Sequence, residues 1–441
     1  MWNVYEIQQD PLNDVRITNE EQRKVEQDNE KAIYKTKLST FSRTGNNIIV
    51  FVLDMFTGDH VERLFADYPE LKDSFEGFVY YHDTLASGSG TCFGLPAIYG
   101  GTDYAYRNLE KRYNKITPDV LASSARKIPE SLGSDWNSIN AKVEFFYGKT
   151  NDKVNFPHNF WYDTFVRESY AKNIEREIEK SEFERLYSYV LFKIVPYSIR
   201  KNIYKNGKWI LSLQFSLMSV NEYALYRFIL DNMTVTESPQ NTYKAVHTLL
   251  THTGSICSDK TFEATTDRRS PPVPAGWQAS HPYMSYDHYV CEVSNMKILS
   301  KIFDKMKKLG IYDNTKVIIV SDHGDWDSTD LMQAIGVQPF REDFYGHKVN
   351  PGLRSALLMV KDYDKRIPLI IDNESLMSNS DVKHIVLGET FDKSKTRVRY
   401  YEAASVVPKK DIGYHLQTLY RVDGSMYRPE NWSLVFTRDK K

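Results

Sequence analysis

The run Val317-Ile318-Ile319-Val320, ending in Ser321-Asp322-His323-Gly324-Asp325, constrains this chain more than any other segment. An unbroken β-branched run reads as a parallel strand buried on both faces. Open α/β sheets gather ligand-binding groups beyond the carboxyl ends of such strands. A second run, Asn47-Ile48-Ile49-Val50-Phe51-Val52-Leu53, ends at Asp54. Laid in one sheet, the two strands deliver Asp54, Asp322 and His323 to the same edge. Acidic residues straight after buried strands are costly unless something compensates their charge. Two oxygens and a nitrogen suit Zn²⁺ or Mn²⁺, with a position left for a reacting group.

At 441 residues with 41% hydrophobic content, the chain can bury a substantial core, in one large α/β domain or two smaller ones. Its 57 Lys plus Arg offset 58 Asp plus Glu, so no global charge draws it to nucleic acid, and an anionic substrate must be held locally. The three cysteines, Cys92, Cys257 and Cys291, are too few and scattered for a disulfide framework or a paired-cysteine zinc site. No stretch approaches the roughly 18 to 20 apolar residues of a membrane span, and Met1-Trp2-Asn3-Val4 does not open a signal peptide.

Residues 1–44 read as a lead-in helix or linker, polar from Ile17 to about Lys37. Residues 45–363 read as an α/β domain carrying an aromatic, charged helical insertion at about 102–240. Within it the pattern predicts helix around Val61–Phe65, a strand at Phe78–Asp83, a strand at Tyr243–Leu250 and a helix from about Val290 to Leu309, stopped by Gly310. A last strand is expected at Ser355–Val360. Residues 364–441 alternate short strand-like segments with turns, as at Arg397–Tyr401 and Trp432–Phe436, and imply a smaller C-terminal sheet.

The turn Ser87-Gly88-Ser89-Gly90 leads into Thr91 at what reads as a helix start, where backbone N–H groups face an anion. Thr91 either caps that helix or, with a metal ion lowering its pKa, acts as a nucleophile. Cys92 ranks below it. His247 and His252, five positions apart at the end of an apolar strand, point to opposite faces, so one of them reaches the pocket. His347 either faces the substrate or sits on the surface. Arg354 either clamps an anion by its planar fork or only flanks a buried strand, and Asp327 and Asp330 read as solvated.

Four segments, NIIVFVLDMF around Asp54, SGSGTCFGLP around Thr91, HTLLTHTG around His247 and His252, and GIYDNTKVIIVSDHGD around Asp322 and His323, resemble the alkaline phosphatase/sulfatase superfamily. Within it they resemble the branch of lipoteichoic acid synthases and lipid A phosphoethanolamine transferases. The resemblance spans roughly residues 46 to 360 and implies an alkaline phosphatase-like, mostly parallel central sheet flanked by helices. It implies one divalent metal ion, Mn²⁺ or Zn²⁺ with a second ion allowed, held by Asp54, Thr91, Asp322 and His323. Thr91 would form a phosphothreonine intermediate, while His252, His347 and Arg354 would bind substrate.

The expected activity is transfer or hydrolysis of a phosphoglycerol- or phosphoethanolamine-type group on a phospholipid or phospho-glycan. By the same resemblance the domain lies outside the cytoplasmic membrane, attached through N-terminal spans that this sequence does not contain. Sulfatases carry a C/S-x-P-x-R motif, whereas Cys92 is followed by Phe93-Gly94-Leu95 and no Arg follows Pro96, which disfavours sulfate esters. Disulfides that flank the site in the phosphoethanolamine transferases have no counterpart among three scattered cysteines. A hydrolase of the same fold and a catalytically silent envelope-binding protein are the alternatives.

Overall fold

A computed structural model of the chain describes residues 29, 32–141, 183, 186–204, 218–266, 269–282, 284–325, 351–389, 398–406 and 414–437. His347, Asp327 and Asp330 lie outside them.

Seven strands form the central sheet: β1 (Asn47–Leu53), β2 (Phe78–Tyr81), β3 (Trp136–Ala141), β4 (Asn241–Thr248), β5 (Thr315–Val320), β6 (Leu358–Lys361) and β7 (Ile370–Asp372). Their spatial order is β7-β2-β6-β5-β1-β4-β3. All neighbouring pairs are parallel except those of β6, which runs antiparallel to β2 and β5. The two runs that open the sequence argument are therefore direct neighbours, with Val52 paired to Val320. Continuing that register by two residues sets Asp54 beside Asp322.

Because side chains alternate along a strand, each central strand feeds two cores. Ile49, Phe51, Val317 and Ile319 face one layer, built on helices α3 (Met218–Asn232) and α4 (Tyr286–Leu309). Ile48, Val50, Val52, Ile318 and Val320 face the other, built on α2 (Thr91–Gly100) and the short helices that follow it. Helix α1 (His60–Asp67) buries Val61, Leu64 and Phe65 in the first layer. Helix α4 stops as expected: Gly310 adopts φ of 69°, the left-handed conformation that glycine takes without a Cβ penalty, and its N–H caps the last turn.

The insertion at about 102–240 is not wholly helical, since β3 from within it completes one edge of the central sheet. Trp136-Asn137-Ser138-Ile139-Asn140-Ala141 has a single β-branched residue and polar alternation too weak to stand out in a charged region. The C-terminal part does form the expected small sheet, three antiparallel strands β8 (Val398–Val406), β9 (Tyr414–Asp423) and β10 (Trp432–Thr437). It also returns β7 to the central sheet and a short helix, α5 (Val382–Leu387), that packs Val382 and Val386 against the layer of α2.

Candidate metal centre

Even-numbered residues of β1 and β5 face α2, so Asp54 and Asp322, the next even positions beyond each strand, open toward the first turn of that helix. Thr91 is its first residue. Thr91 Oγ1 donates to Asp54 Oδ2 at 3.2 Å and lies 3.4 Å from His323 Nε2. His323 Nε2 is 3.5 Å from Asp322 Oδ2, and one ligand atom each from Asp54, Asp322 and His323 falls within 4.8 Å of the others. Four residues from three separate segments thus converge on one point.

The surroundings fix how each group points. Met55 takes φ of 62°, a left-handed conformation costing a Cβ-bearing residue about 1–2 kcal/mol, and its N–H donates to Asp322 Oδ1 at 3.1 Å. The His323 N–H donates to the same oxygen at 2.9 Å. His323 Nδ1 donates to the Gly324 carbonyl at 2.7 Å, which leaves the Nε2 lone pair facing Thr91 and the carboxylates. Asn379 Nδ2 donates to the Asp322 carbonyl at 2.6 Å while its Oδ1 accepts the Ser87 N–H at 2.9 Å, tying the turn before Thr91 to the end of β5.

Asp54 and Asp322 are both 0% exposed, and Asp54 Oδ1 and Asp322 Oδ2 accept no hydrogen bond from the described residues. Burial pushes Asp54 up, but the contact with His247 and the nearby His323 and His252 outweigh it and hold the carboxyl below its ordinary value. Asp322 is raised, by burial and then by the charge of Asp54. Burial works against the His323 imidazolium, yet the two carboxylates overcome it and raise that pKa. Two buried carboxylates with orphaned oxygens beside an available imidazole nitrogen fit a divalent cation, which supplies the missing positive charge.

Gly94 lets the parts meet. A Cβ there would stand 2.3 Å from the Asp322 carbonyl oxygen and 2.8 Å from Asp322 Cβ. Gly94→Ala should force α2 away from β5, and a shift of about 1 Å at a reacting group costs on the order of 100-fold in rate. Steady-state kinetics on any accepted substrate should show that loss, and an unchanged kcat/KM would contradict it.

The two histidines of the HTLLTHTG segment occupy different places. His247, in β4 with Tyr243 and Ala245 on the α2 side, is 0% exposed and its Nε2 sits 3.4 Å from Asp54 Oδ2. His252 lies beyond the end of β4 in a turn, half-buried, with Nδ1 3.2 Å from the Thr253 carbonyl. The strand alternation expected to separate them therefore applies only to His247, because β4 stops at Thr248. Desolvation pushes the Cys92 thiol up to about 12, leaving a poor nucleophile.

Arg354 is placed elsewhere. It is 0% exposed, with its guanidinium carbon 4.8 Å from the Tyr401 ring centroid, 5.2 Å from Trp432 and 5.9 Å from Tyr420. These rings belong to the small sheet, so Arg354 packs that sheet against the core. A desolvated cation–π contact is worth about 2 kcal/mol. Arg354→Met should lower stability by about that much in denaturant unfolding while leaving metal content unchanged; lost substrate affinity at unchanged stability would restore the clamp.

Asn379 and Gly94 are not marked by the sequence as parts of the centre, and His247 is marked only as one of a pair of which one reaches the pocket. Strand parity could have found His247, since it shares a face with Val52 and Asp54 once β4 is registered against β1. Nothing local marks Asn379 or Gly94.

No protein-family model matches the chain, and no curated protein matches it. Solved structures similar to it include a phosphonate monoester hydrolase from Silicibacter pomeroyi, 12% identical, covering 86% of this chain and 85% of that one with a TM-score of 0.49. Another is the lipoteichoic acid synthase LtaP from Listeria monocytogenes, 13% identical, covering 91% and 88% with a TM-score of 0.42. A third is the C-terminal periplasmic domain of EcEptC from Escherichia coli, 10% identical, covering 85% and 92% with a TM-score of 0.39.

Proposed function

We propose that Asp54, Thr91, Asp322 and His323 hold one divalent cation, Mn²⁺ or Zn²⁺, and that Thr91 is the nucleophile of a phosphodiester-cleaving enzyme. The observation that carries this reading is the Thr91 hydroxyl held 3.2 Å from Asp54 and 3.4 Å from His323, beside two carboxylate oxygens that accept no hydrogen bond from the described residues. When bound, such an ion lowers the pKa of a coordinated hydroxyl and neutralises charge on phosphoryl oxygens.

Thr91 Oγ1 presents its proton to Asp54 Oδ2 and its free lone pairs to phosphorus. The new Oγ1–P bond forms as the bond from phosphorus to the departing alcohol oxygen breaks, and that oxygen takes up a proton. His252, half-buried beside the centre, is the candidate donor. The backbone N–H groups of the first turn of α2 face the phosphoryl oxygens. A second hydroxyl, from water or an acceptor alcohol, then attacks phosphorus while giving its proton to His252, and the Oγ1–P bond breaks as Thr91 Oγ1 takes its proton back from Asp54.

The substrate class we infer is a phospho-alcohol ester of the phosphoglycerol or phosphoethanolamine type, on a phospholipid or phospho-glycan of the cell envelope. That choice and the extracytoplasmic, membrane-associated setting rest on the resemblance of the four segments. Among the described residues no helix is long and apolar enough to cross a membrane. The proposed division keeps 45–363 as the catalytic part, 1–44 as a lead-in and 364–441 as a C-terminal subdomain, with β7 and α5 returning from the last to the core.

Intact-mass analysis after a rapid quench with a glycerophospho- or phosphoethanolamine diester tests this. One phosphoryl-group adduct on the peptide containing Thr91 is expected, and an adduct-free protein that still releases alcohol would overturn it. Product analysis with candidate acceptor alcohols separates transfer from hydrolysis.

A further inference from the structure

Helix α4 carries a second set of metal-type donors that the centre above does not use. His288 and Glu292 stand four residues apart and so project from one face of the helix. His60, the first residue of α1, meets them. His60 Nδ1 lies 2.7 Å from Glu292 Oε2, and His288 Nε2 lies 3.1 Å from Glu292 Oε1. The side chains of His60, His288 and Glu292 are 1%, 8% and 0% exposed, and one ligand atom from each falls within 4.8 Å of the others.

Two contacts orient this cluster. His288 Nδ1, the nitrogen turned away from Glu292, is 3.4 Å from Asp325 Oδ2. The Thr57 N–H donates to Glu292 Oε1 at 2.9 Å, and Thr57 Oγ1 accepts the Asp325 N–H at 2.9 Å. Among the described residues, the ion-pair partners of Glu292 are these two imidazoles, with no Lys or Arg beside it.

Two imidazoles and a carboxylate form a donor set that suits Zn²⁺. A carboxylate on the far nitrogen of a histidine fixes the tautomer whose other nitrogen offers its lone pair, the usual support of a metal-bound imidazole. We propose that His60, His288 and Glu292 form a second divalent-cation site, distinct from the Asp54–Asp322–His323 centre, with Zn²⁺ as its cation and Asp325 orienting His288. An ion there joins α1 to α4, and the supporting Thr57 and Asp325 lie on the loops after β1 and β5, which also carry Asp54 and the Asp322-His323 pair. The site does not depend on the chemistry assigned to Thr91.

Zn²⁺ counting on the whole chain tests this. The protein is stripped with chelator, reloaded with Zn²⁺, desalted and measured by elemental analysis. Two equivalents are expected in the wild type and one in Asp54→Asn/Asp322→Asn, which disables the first centre. Adding His288→Ala to that double variant should leave none, and Asp325→Asn in the same background should weaken the remaining Zn²⁺ about 10- to 100-fold. Far-UV circular dichroism confirms that each variant is folded. His288→Ala alone should fall from two equivalents to one, which keeps the test valid if the double variant does not fold. A folded double variant with no stoichiometric Zn²⁺ would overturn the site, leaving the cluster as a metal-free ion-pair network. So would a triple variant that retains its ion.

Discussion

Thr91→Ala should abolish turnover of a chromogenic phosphodiester, by at least about 10⁴-fold in kcat, while the divalent ion stays bound through Asp54, Asp322 and His323. Removing a nucleophile that forms a covalent intermediate leaves only the binding and electrostatic part of catalysis. The Ala side chain keeps the start of α2 intact: Gly90 is the N-cap and Thr91 makes no cap hydrogen bond there, so a general loss of fold is not expected. Thr91→Ser should retain part of the activity because the hydroxyl survives. Steady-state rates measured with elemental analysis of the same samples check both halves. Full activity in Thr91→Ala would remove the nucleophile assignment, and loss of metal together with activity would reduce Thr91 to a ligand.

The second large effect is expected at Asp322, with opposite signs for binding and stability. Asp322→Asn should lower divalent-ion affinity by more than the 10- to 100-fold that loss of a supporting contact costs, and should abolish metal-dependent activity. Without metal, the same substitution should raise stability. Burial and the neighbouring Asp54 hold Asp322 above its ordinary pKa, so ionising it costs the folded state. A group raised in this way takes stability away as pH rises through the carboxylate range. Asn removes the charge and keeps the shape. Thermal melts of both proteins, with and without added Mn²⁺ or Zn²⁺, should show the wild type gaining strongly from metal, and the variant more stable without metal and indifferent to it. A variant less stable than wild type without metal would contradict the repulsion.

What the sequence disclosed and what it hid follow from how far each signal extends. β1 and β5 are contiguous apolar runs buried on both faces, so each was visible alone, and the rule that ligands gather beyond strand ends placed Asp54, Asp322 and His323 together. Thr91 became legible through its glycine-rich turn and its place at a helix start. His247 stayed ambiguous because parity along β4 says which residues share a face, but only the register against β1 says which face holds Asp54. Arg354 read equally as an anion clamp or a packed side chain, since the deciding aromatic rings arrive from β8, β9 and β10, 47 or more positions later. The His60, His288 and Glu292 cluster joins residues more than two hundred positions apart, and only the i, i+4 pair on α4 leaves any local trace.

The proposed chemistry requires one cation shared by Thr91, Asp54, Asp322 and His323. Anomalous diffraction from crystals soaked in Mn²⁺ or Zn²⁺ measures this directly. The predicted result is a peak at about 2.0–2.2 Å from the His323 Nε2 and the two carboxylates, with Thr91 Oγ1 as its neighbour. A peak that excludes Thr91, or no peak among these four residues at saturating metal, would contradict it.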